Sequence, residues 1–298
     1  VTPRQGAAYR WLTRRALRAA RLCTSDSRHM TAVMQGELGA GEVMTFPFGL
    51  EALPPWPEHK DDALFFANRA LEALYRPERV LDAFAVIAQD WPEARLVVAH
   101  DGALRPALEA RAAQPDLAGK VRFVGRLDAA TQAGWYARAR WYLSLPASDS
   151  VSVSVLEAMG HGCIPILSDL PANRELVDDG HNGLILAEHT LHSDHSETSQ
   201  RSPLRTLKDR TAATPSAPPS AALLAALASL QPQAHHIAEH NRAWVAEHAL
   251  FPEAVPPDPA LGLARLEFAI ALCHRLTAAV ANDSVMPNMP ASCSQNAQ

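Results

Sequence analysis

Residues 144–177 read SLPASDSVSVSVLEAMGHGCIPILSDLPANRELV, and this stretch decides the fold of the chain. It contains an acidic residue, Asp149, then a Ser/Val run, and then a second acidic residue, Glu157. We predict a helix over residues 151–159, so that Asp149 lies in the loop ahead of it and both carboxylates line one rim of a pocket. Because free N–H groups and the positive dipole end make a helix N-terminus attract anions, this pocket suits a sugar nucleotide.

The same stretch resembles the donor-site motif of the group-1 retaining glycosyltransferases, whose two Rossmann-like domains form the GT-B architecture. The family pattern runs from Glu-x7-Glu-Ala-Met through a small-residue turn and a Pro-led strand to a Pro…Glu-[Ile/Leu]-Val turn. The matching segments here are Asp149, Glu157-Ala158-Met159, Gly160-His161-Gly162, Cys163–Ser168, Pro171 and Glu175-Leu176-Val177. Asp149 departs from the usual Glu, and Ser150-Val151-Ser152 departs from the usual Gly-x-Gly.

The resemblance implies a role for each matching residue. Arg69 would face the donor diphosphate, and Arg76 is the nearby substitute for a family Lys because Leu74 stands at the expected spacing. Asp149 would accept hydrogen bonds from sugar hydroxyls, and Glu157 would accept them from the ribose. The implied catalytic residues are therefore Asp149, Glu157 and Arg69. The implied donor-binding residues also include Arg76, Gly125, Arg126, Ser150, Val151, Ser152 and Val153, the last four through backbone N–H groups and Gly125-Arg126 beside the base.

Four of these residues also have a purely structural interpretation. Arg69 could form a surface ion pair, and Arg126 could be an ordinary surface cation. Asp149 could cap the helix, a contribution of about 1 kcal/mol. Glu157 could be a solvated helix acid, although the apolar residues beside it indicate burial on one side, where an acid needs a partner.

The chain from Asp62 onward alternates strands and helices, which is typical of a parallel sheet. The predicted strands are Ala63–Ala67, Arg95–Ala99, Val121–Val124, Trp141–Leu145, Ile164–Leu167 and Gly183–Leu186. The predicted helices between them are Pro77–Ile87, Ala103–Ala113, Ala129–Ala139 and residues 151–159, followed by Ala221–Leu230 and His235–His248. The resemblance implies a last helix over about Pro259–Val280. The pattern predicts an α/β, Rossmann-like doubly wound sheet with its ligand at the carboxyl ends of the strands.

The resemblance divides the chain into five parts. Residues 1–49 would be a short helical remnant of the N-terminal, acceptor-binding domain, most of which is absent. Within it we expect a short strand end at Cys23-Thr24-Ser25, a helix through Glu37 capped by Asp26 or Ser27, a strand over Val43–Phe48 and a Pro47-Phe48-Gly49 turn. Residues 50–186 would be the nucleotide-sugar-binding domain, completed by helices in 221–282. Residues 187–220 are rich in Ser, Thr, Pro and charge, which predicts a long loop or disordered insertion, and residues 283–298 are expected to form a disordered tail. Within the insertion, His189, His192 and His195 have a weak metal-like spacing but are better explained as a solvated loop.

Composition restricts the class of protein further. The 298 residues carry a net charge of −5, with 48% hydrophobic residues and 20% charged ones, so nothing favours nucleic acid. The four cysteines lack paired or metal-like spacing, which indicates a reducing compartment and a cytoplasmic location. No apolar run is long enough for a membrane span. Residues 7–22 are predicted to form a basic amphipathic helix, which we interpret as an ordinary helix with a solvated Arg face, and binding to a membrane surface is the alternative.

The function that the resemblance implies is retaining transfer of a sugar from a UDP- or GDP-sugar to a glycan or lipid-linked acceptor, with no metal and no cofactor. A separate N-terminal domain would be the partner, with peripheral membrane contact as a further option. Two alternatives remain, namely a non-catalytic nucleotide-sugar-binding fragment and a GT-B-like sugar-nucleotide epimerase. A Rossmann dehydrogenase is disfavoured because no G-x-G-x-x-G follows the first strand.

Overall fold

A computed structural model describes residues 7–45, 49–187 and 219–250 of the chain. The strands are β1 (Cys23–Ser25), β2 (Val43–Thr45), β3 (Asp61–Ala67), β4 (Arg95–Ala99), β5 (Val121–Gly125), β6 (Ala139–Ser144), β7 (Ile164–Ser168) and β8 (Leu184–Leu186). The α-helices are α1 (Ala7–Ala19), α2 (Arg28–Gly36), α3 (Pro77–Asp90), α4 (Arg105–Ala112), α5 (Ala129–Arg138), α6 (Val153–Gly160), α7 (Pro219–Leu230) and α8 (Ala234–His248).

Six strands form one parallel sheet in the order β5-β4-β3-β6-β7-β8. Numbered along the chain within this sheet, the order is 3-2-1-4-5-6, which is that of a doubly wound dinucleotide-binding sheet. The predicted α/β, Rossmann-like fold is therefore confirmed. The chain reverses its direction of winding between β3 and β6, so the carboxyl ends of these two strands border the crevice where ligands bind in such sheets.

Two apolar clusters cover the two faces of this sheet. Neighbouring residues in β3 point to opposite faces, so Phe65 packs with Phe84 of α3 while Phe66 packs with Tyr136 of α5. Helices α3, α4 and α7 contribute to the first cluster, α5 and α6 contribute to the second, and α8 contributes to both. Because both faces are covered, the strands are near-continuous apolar runs, as the sequence indicated.

The N-terminal segment, residues 7–45, contains strands as well as helices. β1 and β2 pair in parallel as a separate two-stranded sheet, which confirms the strands expected at Cys23-Thr24-Ser25 and from Val43 onward. α2 begins after Ser27, whose hydroxyl accepts a hydrogen bond from the Met30 N–H at 3.1 Å, as the predicted N-cap requires. None of the helices described, α1 included, is both long and apolar enough to cross a membrane.

Several predicted boundaries differ from the observed ones. α6 begins at Val153 rather than at residue 151, because residues 151 and 152 belong to the loop that follows β6. α7 begins at Pro219, inside the segment predicted as an insertion. The predictions for His189, His192 and His195, for the helix Pro259–Val280 and for residues 283–298 fall outside the described residues, as does most of the predicted Pro47-Phe48-Gly49 turn.

Candidate functional site

The loops after β3 and β6 bring Arg69 and Asp149 together at the crevice of the sheet. Arg69 Nη2 and Asp149 Oδ2 form an ion pair at 2.8 Å, with the two side chains only 16% and 21% exposed. β3 and β6 are hydrogen-bonded neighbours, so residues just beyond their carboxyl ends have to be close. This edge is where the sequence predicted both residues.

Further contacts of Arg69 connect it to the beginning of α6. Its Nη1 donates to the hydroxyls of Ser152 and Ser154, the latter at 3.1 Å. Its guanidinium also lies over the Tyr75 ring, 4.4 Å from the centroid, in a cation–π arrangement. A guanidinium offers several donors in a rigid plane, so these contacts hold a concentrated positive charge at the N-terminal end of α6.

Asp149 has an unfavourable environment for a carboxylate. Burial raises its pKa, while Arg69 and a hydrogen bond from the Ser150 N–H at 3.1 Å oppose that rise. Asp26, from the N-terminal segment, adds a second negative charge nearby and raises the pKa further. The Ser150 hydroxyl donates to Asp26 Oδ1 at 2.6 Å, so Ser150 lies between the two acids.

Glu157 lies on α6 and is mostly buried rather than solvated. Its Oε2 accepts hydrogen bonds from the Tyr136 hydroxyl at 3.0 Å and from Gln132 Nε2 at 3.3 Å. Burial raises the pKa of the Glu157 carboxyl, and these two hydrogen bonds lower it. The interpretation of Glu157 as a solvated helix acid is therefore wrong.

A continuous set of hydrogen bonds joins Glu157 to the Arg69–Asp149 pair. Ser154 takes part on both sides, because its hydroxyl accepts from Arg69 and its carbonyl oxygen accepts from the Tyr136 hydroxyl at 3.2 Å. The three residues expected to be catalytic thus lie on one network at one edge of the sheet. Their assignment to particular groups of a donor remains a prediction.

The remaining expected donor-binding residues lie at the same edge but further apart. Arg76 directly precedes α3, in a loop tied to the Asp149 loop by a hydrogen bond from the Ala147 N–H to the Leu74 carbonyl at 2.9 Å. Gly125 ends β5, two strands from β3 and hence about 10 Å away, and Arg126 follows it with an exposed side chain. Gly125 has φ of 73°, and its carbonyl oxygen accepts from the His100 N–H at 2.6 Å.

The Ser/Val run itself differs from a simple array of free backbone donors. The Ser150 N–H points to Asp149, and Val151 and Ser152 are buried. Val153 is the first residue of α6 and is half-buried. The N-cap of this helix is Ser152 rather than Asp149, so the capping interpretation of Asp149 is wrong.

Sequence reasoning missed the residues that surround the expected ones. A signal existed for Asn68, because polar residues that directly follow a buried strand tend to lie at the ligand edge. No local pattern could have found Tyr136 or Asp26, because their contacts with Glu157 and Ser150 depend on how distant elements meet. Other residues that sequence reasoning did not assign to the site are Ser27, Tyr75, Gln132, Tyr142 and Ser154.

Comparison with known proteins gives the class of this domain. Residues 62–197 match the family model described as glycosyl transferases group 1. The matched range contains Arg69, Asp149, Glu157 and the whole of residues 144–177. Residues 62–197 therefore belong to the group 1 glycosyltransferases.

Individual relatives agree with this class. A D-inositol 3-phosphate glycosyltransferase of Jonesia denitrificans is 31% identical over 136 residues, which is 43% of this chain and 32% of that protein. The GtfA/B complex superimposes with a TM-score of 0.62 at 18% identity, over 89% of this chain and 47% of that one. Anabaena HepE in complex with UDP and glucose gives 0.59 at 14% identity, over 92% and 66%. The chain thus spans about a third of the curated relative's length and less than half of the GtfA/B chain.

Proposed function

We propose that this chain is the nucleotide-sugar-binding half of a retaining glycosyltransferase that acts on a glycan or lipid-linked acceptor. The observation that carries the proposal is the pairing of Arg69 with Asp149 at the reversal point of the sheet, next to the N-terminus of α6. The group 1 match and the UDP and glucose of the HepE structure support a nucleotide sugar as the ligand class. The acceptor would be held with the help of a further N-terminal portion.

Arg69 is suited to the diphosphate of such a donor. A diphosphate would draw the guanidinium through paired N–H···O bonds, which are stronger than the neutral bonds to Ser152 and Ser154. Asp149 would then accept hydrogen bonds from the sugar hydroxyls. Since Asp is one methylene shorter than the usual Glu, the sugar has to lie closer to the loop after β6.

Glu157 lies about one helical turn after the start of α6 and is suited to bind the ribose of the donor. The base would extend toward Gly125 and Arg126, whose separation from β3 matches the extended shape of a nucleoside diphosphate. All of these contacts orient the donor and exclude water, so that the binding free energy is used to place the reacting atoms.

The reaction would proceed on one face of the sugar. The bond between the anomeric carbon and the diphosphate oxygen breaks, and its electron pair goes to that oxygen. The acceptor hydroxyl forms the new bond, and its proton passes to the departing diphosphate. Arg69 and the N-terminal dipole of α6 would stabilise the negative charge that develops on the phosphate.

Thermal unfolding with and without UDP- and GDP-sugars tests the binding. A ligand at about 100 times its Kd stabilises the folded state by roughly 2.7 kcal/mol, which a scan resolves easily. We expect at least one nucleotide sugar to raise Tm of the wild-type chain. Arg69→Ala should abolish that increase, because the diphosphate loses its cation.

The chain provides a matched control at the opposite edge of the same two strands. Arg140 pairs with Asp62 at 2.7 Å and is 14% exposed, so it resembles Arg69 in burial and pairing. Arg140→Ala should leave the ligand-induced increase in Tm intact. If no nucleotide sugar raises Tm, or if the two arginine variants behave alike, the proposed site is wrong.

Turnover separates the transferase from the non-catalytic alternative. Release of nucleoside diphosphate in the presence of acceptor glycans, with and without a supplied N-terminal domain, is the measurement. We expect release only when the N-terminal domain is present. Binding without release under any of these conditions would instead favour a nucleotide-sugar-binding module.

A further inference from the structure

A row of buried polar side chains leads from the core of the sheet to Glu157. The Tyr142 hydroxyl on β6 donates to Asn68 Oδ1 at 2.8 Å, and Asn68 Nδ2 donates to the Tyr136 hydroxyl at 2.7 Å. Tyr136, on α5, contacts Glu157 Oε2 at 3.0 Å. We call the set Tyr142, Asn68 and Tyr136 the buried relay. Its three side chains are almost fully inaccessible to solvent.

The group that donates the proton in each of these hydrogen bonds can be assigned by starting at the Glu157 carboxylate. An ionised carboxylate only accepts, so Tyr136 has to give its single proton to Glu157 or to the Ser154 carbonyl. The charged oxygen attracts that proton more strongly. The Tyr136 oxygen is then left to accept from Asn68, and the other end of the Asn68 amide accepts from Tyr142. Burial raises the pKa of Tyr142 to about 12 and that of Tyr136 well above its usual value, so both remain donors.

The surroundings hold the Tyr136 ring in one position. Phe66 contacts it edge-on with centroids 5.1 Å apart, and the His161 ring stacks on it at 5.4 Å. The hydroxyl therefore reaches Glu157 from a rigid base. Within the described part of the chain, both hydrogen bonds to this carboxylate go to Oε2, and Oε1 has none. One carboxylate oxygen is thus anchored and the other is left for a ligand.

We propose that the buried relay is a positioning device that directs Glu157 Oε1 at the ribose hydroxyls of the donor nucleotide and keeps the carboxylate ionised. This inference rests on the proposed function, since it assigns the ribose to Glu157. Tyr136 is the positioning residue in it, because it acts through its hydrogen bond to Glu157. Without the Tyr136 hydroxyl, the carboxylate would be less well oriented and harder to ionise in its buried position.

The charged and titratable groups around this part of α6 come from two loops, from β6, α5 and α8, and from the residue that follows α6. Arg69 and Asp149 face it from the loops after β3 and β6, Tyr142 from β6 and Tyr136 from α5. His161 directly follows α6, and Arg242 of α8 donates to the Gly160 carbonyl at 2.6 Å. Tyr136→Phe changes only one of these groups and keeps the ring contacts. A change in Glu157 ionisation would then come from the lost hydroxyl.

The first test measures Glu157 without any nucleotide. The carboxyl carbon of Glu157 is titrated by ¹³C NMR in the full chain and in Tyr136→Phe. We expect a higher pKa for Glu157 in the variant, because the hydrogen bond that favours the ionised form is gone while burial remains. An unchanged Glu157 titration would overturn the inference, whatever the nucleotide experiments show.

The second test measures nucleotide binding. Calorimetric Kd values for UDP, GDP and their 2′-deoxy forms are compared at several pH values between 5 and 8. Tyr136→Phe should weaken binding of the preferred ribonucleotide about tenfold, should reduce its advantage over the deoxy form, and should move the acid-side loss of affinity to higher pH. Tyr142→Phe, which touches Asn68 but not Glu157, should have the same effects on a smaller scale.

Asn241→Ala is the control for a general loss of stability. Asn241 is fully buried on α8 and exchanges hydrogen bonds with Asn182 at the amino edge of the sheet, away from Glu157. It should lower Tm without changing the preference for ribose. If Tyr136→Phe likewise lowers Tm and leaves the preference for ribose unchanged, the buried relay is only structural and the inference is wrong. If Tyr136→Phe shifts the Glu157 titration but the wild type binds neither UDP nor GDP, the proposed function is wrong. The assignment of the ribose to Glu157 is then wrong as well.

Discussion

At the scale of single residues, the fold makes the two acids of the candidate site, Asp149 and Glu157, hard to ionise. Burial is the largest cause that raises the pKa of both Asp149 and Glu157. In the unfolded chain these carboxyls ionise at their ordinary pKa. As the pH rises from that value through the folded-state pKa, the unfolded state releases its proton first, and stability is lost. Above the folded-state pKa, the site therefore lowers the stability of the folded chain.

Glu157→Gln should consequently stabilise the protein while it damages the site. The amide cannot ionise, so the variant escapes the penalty, and its Tm at pH 7.5 should exceed that of the wild type by about 2 °C or more. The advantage should shrink toward pH 4, where both states of the wild-type Glu157 are protonated. Thermal unfolding followed by circular dichroism across this pH range is the measurement.

Glu247→Gln provides the comparison for this prediction. Glu247 lies on α8 with its side chain 78% exposed, so its substitution changes no buried group. Its substitution should leave Tm nearly unchanged at every pH. A Glu157→Gln variant whose Tm falls at pH 7.5, or rises equally at pH 4 and 7.5, would contradict the assigned cause.

At the scale of elements, backbone hydrogen bonds fasten together the loops that carry the site. The Leu71 N–H donates to the Asp101 carbonyl at 3.1 Å, and the Leu104 N–H donates to the Leu71 carbonyl at 3.0 Å, which joins the loops after β3 and β4. Gly102 lies at this junction, and a Cβ there would come within 2.4 Å of the Leu71 carbonyl oxygen. The position of the Arg69 loop therefore depends on a glycine in the neighbouring loop.

Gly102→Ala should destabilise the chain by about 1–3 kcal/mol, because the backbone on both sides has to move apart. Urea unfolding gives the difference. Gly134→Ala on α5 is the matched control, since its Cβ would meet nothing within 4 Å and alanine favours a helix. Gly134→Ala should stabilise the chain slightly. Equal effects at the two glycines would rule out the close approach to the Leu71 carbonyl as the cause.

At the scale of the whole molecule, the N-terminal segment is attached to the carboxyl edge of the large sheet. The Glu175 carboxylate accepts from the Arg28 and His29 N–H groups at 2.9 and 2.8 Å, which satisfies two of the free donors at the start of α2. Asp26 and Ser27 reach Ser150 from the same segment. The candidate site is consequently bordered by residues from both parts of the chain.

Hydrogen exchange can test this attachment. In Glu175→Ala, the amides of Arg28 and His29 should exchange at least about tenfold faster than in the wild type, because they lose a charge-assisted bond. Glu72→Ala removes a comparable bond to the Ala103 N–H at 2.9 Å elsewhere and should leave both amides protected. Unchanged exchange at Arg28 and His29 in Glu175→Ala would show that the segment is held by other contacts.

Much of the fold could be predicted, because its signals are local. Apolar runs such as Arg95–Ala99 alternate with helical segments, and the pattern of each segment predicts its secondary structure independently of the other segments. Residues 144–177 likewise carry a loop, a helix start and a strand in one continuous motif. The errors were at boundaries, as at the start of α6, where the Ser/Val run is compatible with either helix or loop.

The sequence alone determined the α/β class, the position of the sheet's ligand edge and the expectation that Arg69, Asp149 and Glu157 lie there. Only the tertiary structure decided that Arg69 pairs with Asp149, that Asp26 approaches Ser150 and that Tyr136 anchors Glu157. The Asn68–Tyr136 contact joins residues 68 positions apart. No local pattern specifies such a contact, because it exists only once the strand order has placed β3 beside β6 and α5 has packed on their common face.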